Sequence, residues 1–343
     1  MTTNSGFALV KSDNEKTPFK QRIDYIDKPM PELQSGEVLV KVMAAPVNPS
    51  DLVYLMGKYG VPPVEGAYAG FEACGIVEKA NAGWFGRYLT GKRVAVFATP
   101  GKDGVWAKYA AVKATACMPV RKELSDAQAS TLLVNPATSV CLVERAIQLG
   151  AKAVVLNAAA SQVGKGVIRY AQQVGIKTIA TVRSESNRAI LQEMGATEVL
   201  LTTDEQYKEQ LKQATQQYHA TVLLDAVADS DTAILLNNMP ARSTAIVYGR
   251  LADTHKRYGG TYGVSDVIFR DVKVEGFWLA HYIRRAGALK TWMLGRKVQR
   301  LFAEGVFDTD IYGQFNNLEF PEVIDHYAQH KSDGKVILLP HAV

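Results

Sequence analysis

Residues 153–164 read Ala-Val-Val-Leu-Asn-Ala-Ala-Ala-Ser-Gln-Val-Gly: four apolar strand formers, a turn of small residues, then the start of a helical pattern. This unit constrains the chain more than any other stretch, because the downstream sequence repeats its pattern. Gly164 opens a helix that Gly175 ends, and Thr178-Ile-Ala-Thr-Val182 is the next strand. A helix over 187–194 ends at Gly195, a strand spans 197–201, and a polar helix spans 204–218. Thr221-Val-Leu-Leu224, Ala245-Ile-Val-Tyr248 and residues 272–279 supply later strands. Strands alternating with helices across short turns require a parallel sheet covered by helices on both faces. The expected fold is therefore α/β, with a doubly wound parallel sheet over residues 125–285. Ser125-Asp126-Ala-Gln128 has the pattern of a helix start, and an apolar-periodic segment continues from it to Gly150.

The first 124 residues have a different pattern. Glu37-Val-Leu-Val-Lys-Val-Met43 alternates behind a Ser35-Gly36 turn, and Gly75-Ile-Val-Glu78 and Arg93-Val-Ala-Val-Phe97 are short strands between turn residues. A β-rich domain is expected over 1–124. Residues 286–343, with an arginine-bearing helix and the closing strand Lys335-Val-Ile-Leu-Leu339, are expected to return to it. A chain of 343 residues divides naturally into two such domains. Its net charge of +5 is spread among interspersed acids and bases, without the basic block that phosphate backbones require, so no nucleic-acid partner is expected. Three cysteines, Cys74, Cys117 and Cys141, give no disulfide framework or metal spacing. The polar N-terminus has no signal pattern, and no apolar run is long enough for a membrane span, so a cytoplasmic protein is expected.

A turn that brings a helix N-terminus against small residues suits a pyrophosphate, which needs close backbone approach and unpaired N–H groups. The usual glycine triplet is missing: Ala159, Ser161 and Gly164 stand at the spaced positions. Alone, the turn fits any doubly wound fold equally well. The next strand end adds information. An NAD site places an acid there for the ribose hydroxyls, whereas this chain has Arg183, with Ser184 beside it and Arg188 further on. A guanidinium suits the extra phosphate of NADP, so NADPH is the expected cofactor. Glu185 dissents, since it could hold a ribose.

With these residues in view, the whole chain resembles the medium-chain dehydrogenase/reductase superfamily. The nearest branches are its zinc-independent quinone oxidoreductases and mitochondrial-type 2-enoyl thioester reductases. Asn157-Ala-Ala-Ala-Ser-Gln-Val-Gly164 is similar to the branch's nucleotide turn, and Val47-Asn48-Pro49-Ser50-Asp51 to the loop that meets the nicotinamide. Asn135-Pro-Ala-Thr138 resembles the segment beside nicotinamide and phosphates, and Gly276-Phe277-Trp278-Leu279 the late strand end that borders the cofactor. The resemblance implies a Rossmann domain for 125–285 and a GroES-like catalytic domain for the rest. It implies cofactor contacts from Asn48, Asn135, Thr138, Ala160, Ser161, Gln162, Val163, Gly164, Arg183, Ser184, Arg188, Tyr248, Gly249, Phe277 and Trp278.

The resemblance also bears on metal. Zinc-bearing relatives carry Cys and His where this chain has Asn48 and Phe71, although Glu72 persists, and the cysteine-rich structural lobe is missing. Zinc takes three or four Cys, His or carboxylate ligands, and the six histidines show no paired metal spacing beyond His326 and His330, read as a solvated or packed pair. No metal is expected. Without ligands for a Lewis acid, hydride addition to an activated C=C is easier than to a simple ketone, because the charge delocalises. Tyr59 matches the tyrosine that thioester reductases use near the substrate, and a phenol can serve as general acid. Tyr59 and Asn48 are thus the candidate catalytic residues of an NADPH-dependent reductase acting on enoyl thioesters or enones. The alternatives are an NADPH:quinone oxidoreductase and an NADPH-binding sensor with little catalysis. A small-molecule substrate and a homodimer, joined along residues 272–279, complete the expectations. Residues 250–263, rich in Gly, Tyr and basic side chains, are either a substrate loop or plain surface.

Overall fold

The structure, a computed structural model, describes residues 3–228, 230–251 and 262–342. Residues 252–261, most of the possible substrate loop, lie outside the described residues. The chain forms two compact units, Met1–Val134 with Thr291–Val343, and Asn135–Lys290.

In the first unit the long strands Glu37–Pro46 and Glu72–Asn81 pair antiparallel at the centre of a sheet. Arg93–Phe97 and Cys117–Pro119 extend it on one side, Lys335–Leu338 and Ile311–Phe315 on the other, and Tyr109–Lys113 also pairs with Glu37–Pro46. The hairpin of Thr3–Leu9 and Ile23–Pro29 lies outside this sheet. Alternation puts Val38, Val40, Val42, Val94 and Val96 into a core with Phe7, Trp106 and Phe320, a Trp106–Phe320 edge contact of 5.1 Å among them. Gly70 is required here. Its φ of +88 is left-handed, and a Cβ would collide with the Trp106 indole. The C-terminal strand Lys335–Leu338 thus brings residues from the far end of the chain to the central strand, at Pro46 and Ala45.

The second unit is a six-stranded sheet among the described residues, all its pairings parallel. Its spatial order is Glu198–Leu201, Lys177–Val182, Ala153–Leu156, Ala220–Asp225, Thr244–Val247, Lys273–Gly276. The order reverses direction at Ala153–Leu156, the point where doubly wound folds bind ligands. Ala153, Val154, Val155 and Leu156 are fully buried, as a central parallel strand requires. The helices Asn135–Gln148, Gln162–Gln173, Ser186–Glu193 and Tyr207–Gln217 match the periodic segments of the sequence. Helix Ser230–Asn237 has no counterpart among the sequence expectations.

Two elements differ from the sequence reading, besides the second unit's limits of 135–290 against the expected 125–285. The segment from Ser125 is two helices, not one. Ser125 caps Asp126–Ser130 by accepting from Gln128 N, and that helix packs on Glu37–Pro46 and Glu72–Asn81 in the first unit. The chain breaks after it because the amides of Leu133 and Val134 turn to the carboxylate of Glu72, and Pro136 then starts Asn135–Gln148. The stretch 272–279 is also shorter as a strand. Lys273–Gly276 pairs, and Leu279 already begins the helix Leu279–Ala303, interrupted at Gly287 (φ 78). No helix among the described residues is long and apolar enough to cross a membrane.

Candidate active site

In the second unit the C-terminal strand ends converge on the nucleotide turn. Ala153–Leu156 delivers Asn157, which is buried and uses both ends of its amide. Nδ2 donates to Asp225 Oδ1 (2.6 Å), and Oδ1 accepts from Ala226 N (2.7 Å). Asp225, fully buried at the end of Ala220–Asp225, also accepts from the amides of Val227 and Ala228 (2.9 Å each) and from the Thr232 hydroxyl. This carboxylate, with four donors on it, ties the turn of one strand to the loop of its neighbour. Sequence reasoning passes over it. An acid closing the apolar run Thr221-Val-Leu-Leu224 is the available signal.

After Asn157 the backbone becomes left-handed at Ala158 (φ 46), and Ala228 across the edge does the same (φ 54). Left-handed alanines cost about 1–2 kcal/mol each, and such strain collects where a fold holds a loop for a purpose. Ser161 then caps the helix Gln162–Gln173, its Oγ accepting from Gly164 N (3.1 Å). Gly164 is the one glycine of the usual triplet that survives, and geometry explains why. A Cβ there would collide with the Ala159 carbonyl. Ser139 fastens the facing helix Asn135–Gln148, which carries Asn135 and Thr138, by donating to Val163 O (3.0 Å).

Arg183 and Ser184 follow the strand Lys177–Val182 and are exposed. Ser184 Oγ shares a hydrogen with Ser186 Oγ (2.7 Å). Glu185, the dissenting acid, lies 3.4 Å from Arg188 Nε as an ion pair. Tyr248 continues Thr244–Val247, its N–H donating to Asp225 O (2.9 Å). Its hydroxyl is buried with no hydrogen-bond partner among the described residues, and burial together with the nearby Asp225 charge pushes its pKa up. Gly249 passes so close to Ala226 O that a Cβ would clash. Phe277 N donates to Val247 O (2.8 Å), and the Phe277 ring lies 5.9 Å from Tyr282, with Trp278 half-buried beside it. A backbone cradle that a Cβ would fill, an orphan hydroxyl and an exposed guanidinium at one strand edge fit a phosphorylated dinucleotide.

In the first unit Asn48 caps the helix Pro49–Leu55, and it is fully buried. Asp51 closes the capping box: Oδ2 accepts from Asn48 N (2.7 Å) and Oδ1 from Phe71 N (3.0 Å). The Asn48 amide donates through Nδ2 to Glu72 Oε2 (3.1 Å) and accepts at Oδ1 from Lys335 Nζ (2.5 Å). Lys335 also donates to Val47 O (2.9 Å) and lies 3.4 Å from the Tyr327 hydroxyl. Two carboxyls and one ammonium are therefore buried together. Burial pushes Asp51 and Glu72 up to about 7 and Lys335 down to about 8. Neither Lys335 nor Asp51 stands out in the sequence as a site residue, because a lysine opening an apolar strand gives no sign of which way it faces.

Tyr59 is half-buried on the loop after Pro49–Leu55. Its ring lies 5.2 Å from Phe71 and 6.2 Å from Tyr54, with Tyr54 and Phe71 5.1 Å apart. Aromatic packing at these separations contributes about 0.5–1.5 kcal/mol per pair. The structure thus joins Asn48 and Tyr59 through Asp51 and Phe71.

Residues 34–122 match the family described as alcohol dehydrogenase GroES-like domain, and residues 163–292 the family described as zinc-binding dehydrogenase. The mitochondrial enoyl-[acyl-carrier-protein] reductase of Rattus norvegicus is 30% identical over 258 residues, 73% of this chain and 66% of that enzyme. The match thus spans about two thirds of that relative's length. A Mesorhizobium loti protein provisionally named an NADPH:quinone reductase superposes with a TM-score of 0.90 at 28% identity, over 99% of this chain and 100% of that one. A mutant enoyl thioester reductase from Candida tropicalis shares the fold, with a TM-score of 0.81 at 19% identity over 99% and 100% of the two chains. Zinc, in the name of the family matched over 163–292, finds few donors around Asn48 in the first unit. An amide and a phenyl ring stand at Asn48 and Phe71, and Glu72 is spent on Asn48 and two backbone amides. Among the described residues no three His, Cys, Asp or Glu side chains gather as metal ligands.

Proposed function

Because the chain belongs to the medium-chain dehydrogenase/reductase superfamily, in the branch of enoyl thioester and quinone reductases, we propose that this oxidoreductase is a zinc-independent, NADPH-dependent enzyme reducing the C=C of an α,β-unsaturated carbonyl. The observation that carries this reading is the polar frame around Asn48. It fills the place where zinc relatives keep their metal ligands and leaves Tyr59 as the phenol beside it. When bound, NADPH supplies a hydride. The chain's residues hold it and manage the proton.

Ser161, Gly164 and the helix N-terminus receive the pyrophosphate on a turn that Asn157 holds in shape, with Asn135, Thr138, Ala160, Gln162 and Val163 around it. Tyr248, Gly249, Phe277 and Trp278 line the far side of the same strand edge. Arg183, Ser184 and Arg188 take the ribose phosphate. The exposed guanidinium of Arg183, where an NAD site carries an acid, supports NADPH over NADH. As electrons from the C=C move onto the carbonyl oxygen, the Tyr59 hydroxyl donates a hydrogen bond there or a proton to the α-carbon.

Tyr59→Phe is expected to lower turnover of an enoyl thioester about 100-fold, the scale of general acid catalysis, with NADPH affinity unchanged. Unaltered turnover would remove Tyr59 from catalysis. The Mesorhizobium loti relative favours a second reading, quinone reduction, in which water supplies the protons and Tyr59→Phe has little effect. Initial rates with NADPH against crotonyl thioester, a simple enone and a benzoquinone separate the two.

The functional unit is proposed to be a homodimer. Among the described residues Lys273–Gly276 is paired on one side only, and Val274, Val267, Ile268 and Phe269 are exposed, Phe269 by 81%. A strand edge with apolar neighbours is self-complementary across a two-fold axis, so a second copy is the occupant that suits it.

A further inference from the structure

The buried cluster of the first unit contains a cation that the proposed chemistry does not consume. Lys335 is 0% exposed and reaches Asn48 from 287 positions away in the sequence. An ammonium only donates and an ionised carboxylate only accepts. Lys335 therefore dictates that Asn48 Oδ1 faces it, which leaves Nδ2 to donate to Glu72 on the opposite side. The orientation of this amide is not a matter of choice between two equal flips. It is imposed by charge.

The constraint does not stop at Asn48. Lys335 Nζ also holds Val47 O (2.9 Å), and Val336 O accepts from Val47 N (2.9 Å), so the residue before the cap is clamped from both sides. Asn48 is the N-cap of Pro49–Leu55, and Asp51 on that helix ties it to the backbone of Phe71 (3.0 Å). Phe71 in turn packs on Tyr59, with ring centroids 5.2 Å apart. A continuous path of contacts leads from one ammonium to one phenol. Glu72 anchors the frame by accepting from Leu133 N (2.5 Å) and Val134 N (3.0 Å).

We propose that Lys335 is a positioning residue for the reductase: with Glu72 it locks the Asn48 amide and so fixes the helix cap and the Phe71 ring against which Tyr59 is set. The proposal deepens the reductase reading and rests on it for its kinetic consequence. Its structural consequence, a displaced Tyr59, can be read without any substrate.

The test uses the full chain labelled with 3-fluorotyrosine. The Tyr59 fluorine resonance is assigned by its loss in Tyr59→Phe. Asn48→Asp sets a carboxylate against Glu72, whereas Asn48→Asp with Glu72→Gln restores the donor–acceptor pattern, since the new amide at position 72 donates to the carboxylate at position 48 and still accepts from Leu133 and Val134. Lys335→Met removes the ammonium at similar length. The expected result is a displaced Tyr59 resonance in Asn48→Asp and in Lys335→Met, and a wild-type position in the double variant. Alongside it, kcat falls at least about tenfold in the single variants, the scale of a small misplacement, while NADPH affinity holds in Lys335→Met, and kcat recovers in the double variant. An unmoved Tyr59 resonance in folded Lys335→Met overturns the proposal. So does a double variant that remains displaced, a result still available if both single variants fail to fold. A wild-type protein that oxidises NADPH with no alkene or quinone sinks the reductase reading instead, and the fluorine comparison stands apart from it.

Discussion

Arg183 stands exposed at the end of Lys177–Val182, where the backbone of the sheet gives way to the helix Ser186–Glu193. In the proposed site it meets a phosphate that NADH lacks. A charge-assisted hydrogen bond is worth about 1.5–3 kcal/mol, and every 1.4 kcal/mol is about tenfold in affinity. Arg183→Ala is therefore expected to raise the KM for NADPH about 10- to 100-fold and leave that for NADH nearly as it was; equal changes for both would exclude Arg183 from phosphate binding. Arg183 is legible in the sequence because its meaning depends on neighbours within a few residues, a strand before it and a helix after it. Lys335 and Asp225 are not. Their partners lie across the fold, Asn48 for one and Asn157 for the other, and no local pattern reports which way a charged side chain turns at the end of a strand.

The strand, turn and helix from Ala153–Leu156 into Gln162–Gln173 behave as one element, and its sequence period is enough to read it. What period cannot supply is why two glycines of the usual triplet are dispensable here. Ser161 replaces one and turns its hydroxyl into a cap for Gly164 N, and left-handed Ala158 bears the bend. Only at Gly164 does the helix approach Ala159 too closely for a side chain. Gly164→Ala is expected to destabilise the second unit by about 1–3 kcal/mol, the usual cost of overpacking, and to weaken NADPH binding. Chemical denaturation monitored with and without NADPH measures both, and an unchanged midpoint would show that the turn can shift to admit a methyl. The unexpected break between Asp126–Ser130 and Asn135–Gln148 has a tertiary cause. The amides that could have continued the helix are claimed by Glu72, on a strand distant in sequence.

At the scale of the whole molecule, two grammars of sequence correspond to two units, because a parallel sheet and an antiparallel one demand different periods from their strands. In the proposed dimer the edge strand Lys273–Gly276 would carry the assembly. Replacing Phe269 by Glu together with Val274 by Lys is expected to convert the proposed dimer to monomer in sedimentation velocity; a dimer that persists would move the interface elsewhere. The buried Asp51, Glu72 and Lys335 also give the protein a response to acidity that no surface group would. A carboxyl whose pKa in the fold exceeds its unfolded value favours the fold at low pH. That contribution is complete below about pH 4 and is lost as pH rises through about 7, where Asp51 and Glu72 titrate. Lys335, depressed to about 8, acts in the opposite sense and only above that pH. From about pH 5 to 7.5 the wild type should lose on the order of a few kcal/mol of stability, and Glu72→Gln visibly less. Melting temperatures of the two proteins across that range check it: parallel curves would mean that the cluster keeps its protons constant. A protein whose core is arranged to orient one amide would then be sturdiest in mild acid.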